Sequence, residues 1–460
     1  MPRARLLRLP LLWLIVSLVL AACVHQARAQ NSGAAQTLNT GAAKRNREMG
    51  LAMLQEVKEV LEEYYYDPNY RGIDLKARIK ADENRIKTLN HNWEVYRVLA
   101  QLLLDLNDSH TGLILPPRTD HFEYGFTTQM IGNQCFVVSV KKDSDAEKQG
   151  LRVGDEVRAI GQFVPTRKYL WKIMYLLYKL DPSNTVDLKI KNLAGQERQM
   201  TIAARTMTEK EFNAERKKHK DDEEEKPFKC QEISSEIVAC KLYTFSVEKN
   251  QIDKMMKQVG QHSKLILDLR GNSGGYVSIE KYLTGYFFDH NLKIADAVSR
   301  KKTESWIAKS KQDKSFKGDL IVLVDSESAS ASELFARVVQ LEKRGKIIGD
   351  VTSAAVMTSI TVGLFGQIRA LDEWPRTYTG MNVTIADVIM KDGGRIEGVG
   401  VIPDLAIAPT GLALAKKTDP VLSYVATILG AKLTPEEAGK LYFMNAKPED
   451  AEEPQKETEP

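Results

Sequence analysis

Two apolar runs, each passing straight into a turn of small residues and then a helix, constrain this chain most. Leu265 to Leu269 leads into Arg270-Gly271-Asn272-Ser273-Gly274-Gly275, after which Ile279, Leu283, Tyr286 and Phe287 mark a helical face. Asp319 to Asp325 leads into Ser326-Glu327-Ser328-Ala329-Ser330-Ala331-Ser332-Glu333, followed by Leu334, Phe335, Val338, Val339 and Leu341 at helical spacing. Such units, alternating from about Pro227 to Pro409, imply an α/β layered core. In the first turn, glycines let backbone N–H groups approach a ligand oxygen closely. No Gly-Lys-Ser/Thr follows, so a phosphate loop is discounted. The remaining readings are an oxyanion-binding turn or a tight turn with no ligand. The second unit would present Ser330 at a helix N-terminus, where the dipole and first-turn N–H groups favour developing negative charge. Ser330-x-x-Glu333 is equally a capping box, which needs no catalysis. A third motif runs from Gly393 to Asp404 and places Glu397 at a glycine-flanked strand end, although a lone Glu is usually surface charge.

The first 29 residues read as an export signal. Arg3, Arg5 and Arg8 precede an apolar stretch from Leu11 to Leu20, which is short for a membrane span. Two processing sites compete. Ala27-Arg28-Ala29 is a small-x-small cleavage pattern, and Leu20-Ala21-Ala22-Cys23 resembles a bacterial lipobox that would leave a lipid anchor on Cys23. The location implied is the periplasm or the outer face of a bacterial membrane. The chain carries 65 basic and 61 acidic side chains, and four of the basic ones lie in those first 29 residues, which hold no acid. The remainder is balanced, so bulk charge gives a nucleic-acid partner no support. An oxidising compartment permits disulfides. Phe228 to Ile233 and Ile237 to Leu242 read as strands around Ser234-Ser235-Glu236, which would set Cys230 opposite Cys240. They either bond or stay as buried thiols. Cysteine–histidine metal spacing is absent from the sequence.

Residues 30–45 are small and polar and read as a flexible lead-in. From Arg47 to Leu106 the apolar spacing is helical, ending at Asn107-Asp108-Ser109-His110-Thr111-Gly112 and Pro116-Pro117. Residues 122–205 alternate short strands around Gly150-Leu151-Arg152-Val153-Gly154-Asp155, with a helix over Tyr169 to Leu180. This stretch resembles a PDZ domain. The resemblance implies that Tyr124-Gly125-Phe126 caps a terminal carboxylate while the bound peptide adds as a strand to the sheet edge. Residues 206–226 read as a charged linker and the last stretch as a helix and a disordered tail.

Asp268-Leu269-Arg270-Gly271-Asn272-x-Gly274-Gly275, Ser328-Ala329-Ser330-Ala331-Ser332-Glu333 and Gly398-Val399-Gly400-Val401-x-Pro403-Asp404 stand in the order and spacing of one family. The chain resembles the C-terminal processing (tail-specific) peptidases, whose relatives include the tricorn protease core and interphotoreceptor retinoid-binding protein. With the resemblance, which covers about residues 50 to 425, the chain reads as multidomain: signal peptide 1–29, linker 30–45, N-terminal helical domain 46–118, PDZ domain 122–205, charged linker 206–226, a crotonase-like peptidase core 227–425, and a C-terminal helix and tail 426–460. It also implies a serine endopeptidase that needs no cofactor or metal and acts on unfolded or C-terminally exposed polypeptides. Ser330 would be the nucleophile, with Gly274 or Gly275 and Ala331 forming the oxyanion hole.

One departure redirects the search for the base. The processing peptidases place a lysine in Gly-Glu-x-Thr-Phe-Gly-Lys. Here the stretch is Gly349-Asp350-Val351-Thr352-Ser353-Ala354-Ala355, and Ala355 takes no proton. The tricorn-like branch uses Ser, His and Glu instead. By that resemblance His110 is the general base, Glu397 stabilises the imidazolium and Ser109 assists orientation. The alternative is a non-catalytic peptide-binding scaffold.

Overall fold

The computed structural model describes residues 40–215, 227–364 and 379–441. The expected signal segment with Cys23, the acidic run 221–225 and the tail 442–460 lie outside these residues. Among the described residues no helix is long and apolar enough to cross a membrane.

A parallel sheet forms the centre. Strands Ile237–Leu242, Lys264–Asp268, Asp319–Val324, Lys346–Gly349 and Leu405–Ala406 run parallel, and Phe228–Glu232 adds antiparallel at one edge. Ile237–Leu242 is buried at every position, as expected where helices cover both faces. One face packs on helices Lys249–Val259, Val277–Thr284 and Ala331–Leu341. The other packs on Pro420–Ile428 and Pro435–Leu441. The core therefore continues to residue 441 rather than stopping at 425, because Val421, Leu422, Val425 and Ala438 seal the second face. The edge strand is tied in covalently: Cys230 pairs with Cys240 across the ladder, and the two are joined in a disulfide.

A second, antiparallel sheet joins Leu292–Val298, Thr303–Ala308, Met357–Gly363, Gly380–Met390 and the short strand Gly112–Ile114. That last pairing sets Gly112 opposite Asn382. It docks the helices Thr40–Tyr64, Leu75–Ile86 and Asn92–Asp105, whose apolar faces share one cluster with Val362, Met381 and Val383. Residues 122–205 build a separate five-stranded antiparallel sheet from Phe126–Ile131 to Glu197–Ala203. Thr185–Lys191 alternates exposed and buried along its length, so one face packs inward.

Two expected loops are ordered. The lead-in gives way to helix at Thr40, because Ala43 and the residues after it already pack. The charged linker begins as strand Arg205–Thr208 paired with Asp120–Glu123. A helix follows over 209–215, and Glu209 bonds His121.

A buried ion network anchors the first glycine turn. Arg270, 1% exposed, binds Asp268 and Asp419 through paired hydrogen bonds of 2.7–3.0 Å. Burial alone would push its proton off, but the two carboxylates outweigh it and hold the guanidinium pKa above its ordinary value. Asp419 also caps helix Pro420–Ile428 through the Val421 and Leu422 N–H groups. Replacing Asp419 with Ala removes half of a buried pairing and a cap. The expected loss is about 3–5 kcal/mol in guanidinium unfolding; a change under about 1 kcal/mol would contradict this account of the turn.

Candidate active site

Lys264–Asp268 and Asp319–Val324 are neighbours in parallel register, Asp268 opposite Leu323, so their C-terminal turns emerge side by side. Asn272 knits the turns together. Its carbonyl accepts the Ala329 N–H at 3.0 Å and the Ser332 hydroxyl at 2.9 Å, and its side chain donates to Leu242 O.

Ser330 follows at φ 54°, ψ −115°, a left-handed conformation costly for a residue with a Cβ. It sits half-buried at the start of helix Ala331–Leu341. The Ser330 N–H donates to Ala355 O and to Glu333 Oε2, each at 3.0 Å. The Glu333 carboxylate also accepts from the Thr352 hydroxyl and from the Ala354 and Ala355 N–H groups. Burial pushes its pKa up to about 7, against these hydrogen bonds. The Glu333 half of the capping box is present and does more than cap: it pins the 352–355 segment to the serine.

Gly274 lies against the serine. A Cβ there would come within 2.7 Å of Ser330 Cβ and 3.0 Å of Ala331 N, so only glycine fits. Its own N–H is taken by Asn272 Oδ1 at 2.9 Å. The Gly275 and Ala331 N–H groups, by contrast, have no hydrogen-bond acceptor among the described residues.

The histidine arrives from the opposite end of the sequence. His110 Nδ1 lies 2.6 Å from Ser109 Oγ, and Ser109 Oγ lies 2.9 Å from Glu397 Oε2. Glu397 Oε1 accepts the Ser109 N–H at 3.0 Å. A carboxylate only accepts, so the Ser109 hydroxyl must donate to Glu397. Nδ1 must then carry the imidazole proton and donate to Ser109, which leaves Nε2 as a lone pair. Burial lowers the His110 pKa below its ordinary value, while Glu397 and then Asp108 pull it back up. That direction favours the neutral ring at pH 7.

The 354–356 segment links the two halves. Ala355 O holds the Ser330 N–H, the next N–H, of Val356, donates to Glu397 Oε2 at 2.8 Å, and Gly398 N–H donates to Ala354 O. Thus Ser109, His110 and Glu397 are joined directly and Ser330 stands across one backbone segment from them. Ser330 Oγ and His110 are not hydrogen-bonded in this arrangement. A cleft of about 420 Å³ opens beside Glu397, with Tyr66, Arg71, Asp387 and Arg395 in its wall. Tyr124-Gly125-Phe126 heads the edge strand Phe126–Ile131, and Tyr124 Oη bonds Ser183 O. The far end of that strand touches the loop that leads to Ser330 through Gln129 to Asp325 and Ser326 to Met130 O. Sequence reasoning did not single out Asn272 or the wider reach of Glu333; the Asn of the first motif and the Glu of the capping box were the available signals.

The model of peptidase family S41 matches residues 236–407, the span that holds Ser330 and Glu397. A "Probable CtpA-like serine protease" of Staphylococcus epidermidis is 25% identical over 383 residues, covering 78% of this chain and 72% of that protein. The tail-specific protease of Haemophilus influenzae is 25% identical over 320 residues, covering 65% of this chain and 43% of its own length. Among solved structures, the photosystem II D1 C-terminal processing protease aligns with TM-score 0.53 at 18% identity, over 85% of this chain and 99% of that one. Mature CPAF aligns with TM-score 0.61 at 15% identity, over 81% and 94%. At such identities the structural likeness speaks for the fold. The S41 match over residues 236–407 and the serine proteases among the relatives support a serine-type peptidase akin to the C-terminal processing and tail-specific proteases.

Proposed function

We propose that the chain is an exported endopeptidase in which Ser330 is the nucleophile, His110 its base, and Glu397 with Ser109 the elements that orient and stabilise the imidazole. The observation that carries this reading is the His110–Ser109–Glu397 relay, which fixes the Nδ1–H tautomer and leaves Nε2 to receive a proton. In substrate-free serine enzymes the bond from base to nucleophile is often long and tightens only with substrate. Ser330 Oγ attacks the scissile carbonyl as its proton passes to Nε2. The oxyanion that forms is held by the Gly275 and Ala331 N–H groups. The imidazolium then returns the proton to the departing amine, and water, activated by the same ring, resolves the acyl-enzyme. Ala355 has no amine to act in a serine–lysine mechanism, and the carboxylates that touch the 354–356 segment, Glu333 and Glu397, are engaged by its N–H groups.

Residues 122–205 would serve as a PDZ module that recruits extended chains or free C-termini along the open edge of Phe126–Ile131, and the catalytic core would be crotonase-like. The basic, apolar N-terminus and the Cys230–Cys240 disulfide support an oxidising, exported setting.

The test is labelling of Ser330 by a fluorophosphonate together with hydrolysis of dye-labelled denatured casein. Ser330→Ala should abolish both, and surviving hydrolysis would end the proposal. His110→Ala should slow labelling by about 10³-fold or more. Glu397→Gln should cost about 10²–10⁴-fold, since an amide no longer demands the Nδ1–H tautomer; a loss under about threefold would remove Glu397 from the relay. The sign of the pH dependence follows from burial: the base form dominates above a lowered pKa, so activity should fall only as pH drops below 6.5, the ordinary imidazole value. An acid midpoint above that value would contradict the neutral imidazole.

A further inference from the structure

The turn carrying His110 is clasped to strand Gly380–Met390 by a closed set of buried hydrogen bonds. Asp108, Thr111 and Thr384 are 1%, 3% and 0% exposed. Asp108 Oδ1 accepts from the His110 N–H at 2.9 Å, the Thr111 N–H at 2.8 Å and the Thr384 hydroxyl at 2.7 Å, while Oδ2 accepts from the Thr111 hydroxyl at 2.8 Å. The Thr384 N–H in turn donates to Thr111 Oγ1 at 3.0 Å. The Thr111 hydroxyl lies within reach of both Asp108 Oδ2 at 2.8 Å and Thr384 Oγ1 at 3.1 Å, and because the carboxylate only accepts, every donor of the set finds a partner.

The strand is built for this contact. Its pairing with Met357–Gly363 passes from Thr358 opposite Ala386 to Ser359 opposite Thr384, leaving Ile385 as an extra residue. Such a bulge re-aims the neighbouring side chain. The freed Thr384 N–H turns to Thr111, and its carbonyl takes the Tyr66 N–H at 3.0 Å. An Asp closing a local turn needs only the two N–H donors that follow it. The Thr384 arm, 276 residues away, adds nothing to the turn itself and instead fixes the turn relative to the sheet.

Resting on the reading of His110 as the base, we propose that Asp108 and Thr384 are positioning residues. Their clasp sets the height and direction of the imidazole so that Nδ1 meets Ser109.

The test is the rate of Ser330 labelling by a fluorophosphonate in the full chain, with maximal rate and half-saturating concentration read separately. Thr384→Val should lower the maximal rate by about tenfold or more with half-saturation within about twofold, while Thr384→Ser should retain most of the rate. Should valine prevent folding, Thr384→Ala removes the same hydroxyl without bulk. Asp108→Asn should lower the rate and also move the acid midpoint to lower pH, because the lost negative charge no longer favours the imidazolium. A role confined to stability would lower the folded fraction and leave both the midpoint and the rate per folded molecule in place, and that result would overturn the proposal. Wild-type labelling in the Thr384 variants, with His110→Ala nearly silent, would overturn the clasp alone. Equal labelling of wild type and His110→Ala would instead overturn the assignment of the base.

Discussion

Pairing of Gly112–Ile114 with Gly380–Met390 brings the two ends of the site together. Three residues of antiparallel ladder are weak by themselves. They hold because the helices behind them share an apolar cluster with Val362, Met381 and Val383, so undocking the strand would expose that cluster to water. The residue two positions before this strand is His110. Its partner Glu397 lies a few residues beyond the far end of Gly380–Met390, and the bridge between Ile389 and Arg395 folds that end back. The His110 turn and the Glu397 carboxylate, 287 positions apart in the numbering, meet where this short strand docks.

Ser330 is fixed by different physics. Two parallel strands, buried on both faces, deliver their turns to one edge of the sheet. The strained Ser330 backbone survives because its N–H is doubly engaged and its neighbours are tied through Asn272 and Glu333. Glu333 is a buried carboxylate that accepts four donors, and through it the elbow and the 352–355 segment become one unit. Removing the lysine of related peptidases therefore leaves a backbone scaffold that presents its carbonyl to the serine and its next N–H to Glu397.

Much of this was readable from residue patterns. Apolar runs ending in glycine or serine turns marked the α/β core. The midpoint between Cys230 and Cys240 fell in the hairpin turn that sets them opposite one another. The Ser-His pair and Glu397 emerged only through family resemblance, since nothing in their local sequence says that they meet. Other features were illegible for physical reasons. The bulge at Ile385 depends on what packs against the strand rather than on its composition. The unavailability of the Gly274 N–H follows from one rotamer of Asn272. The helix beginning at Thr40 starts in a polar stretch whose order comes from tertiary packing. Helices past residue 425 were separated from the core because their apolar partners lie on strands far earlier in the chain.

The central claim is a tautomer: a neutral His110 with its proton on Nδ1, held there by Ser109 and Glu397, and a bare Nε2. Nitrogen-15 NMR of histidine-labelled protein at pH 7, with the His110→Ala variant identifying the resonance, reads it directly. The account predicts a pyrrole-like Nδ1 carrying a proton and a pyridine-like Nε2 without one. A protonated Nε2, as the other neutral tautomer or as an imidazolium, would contradict it.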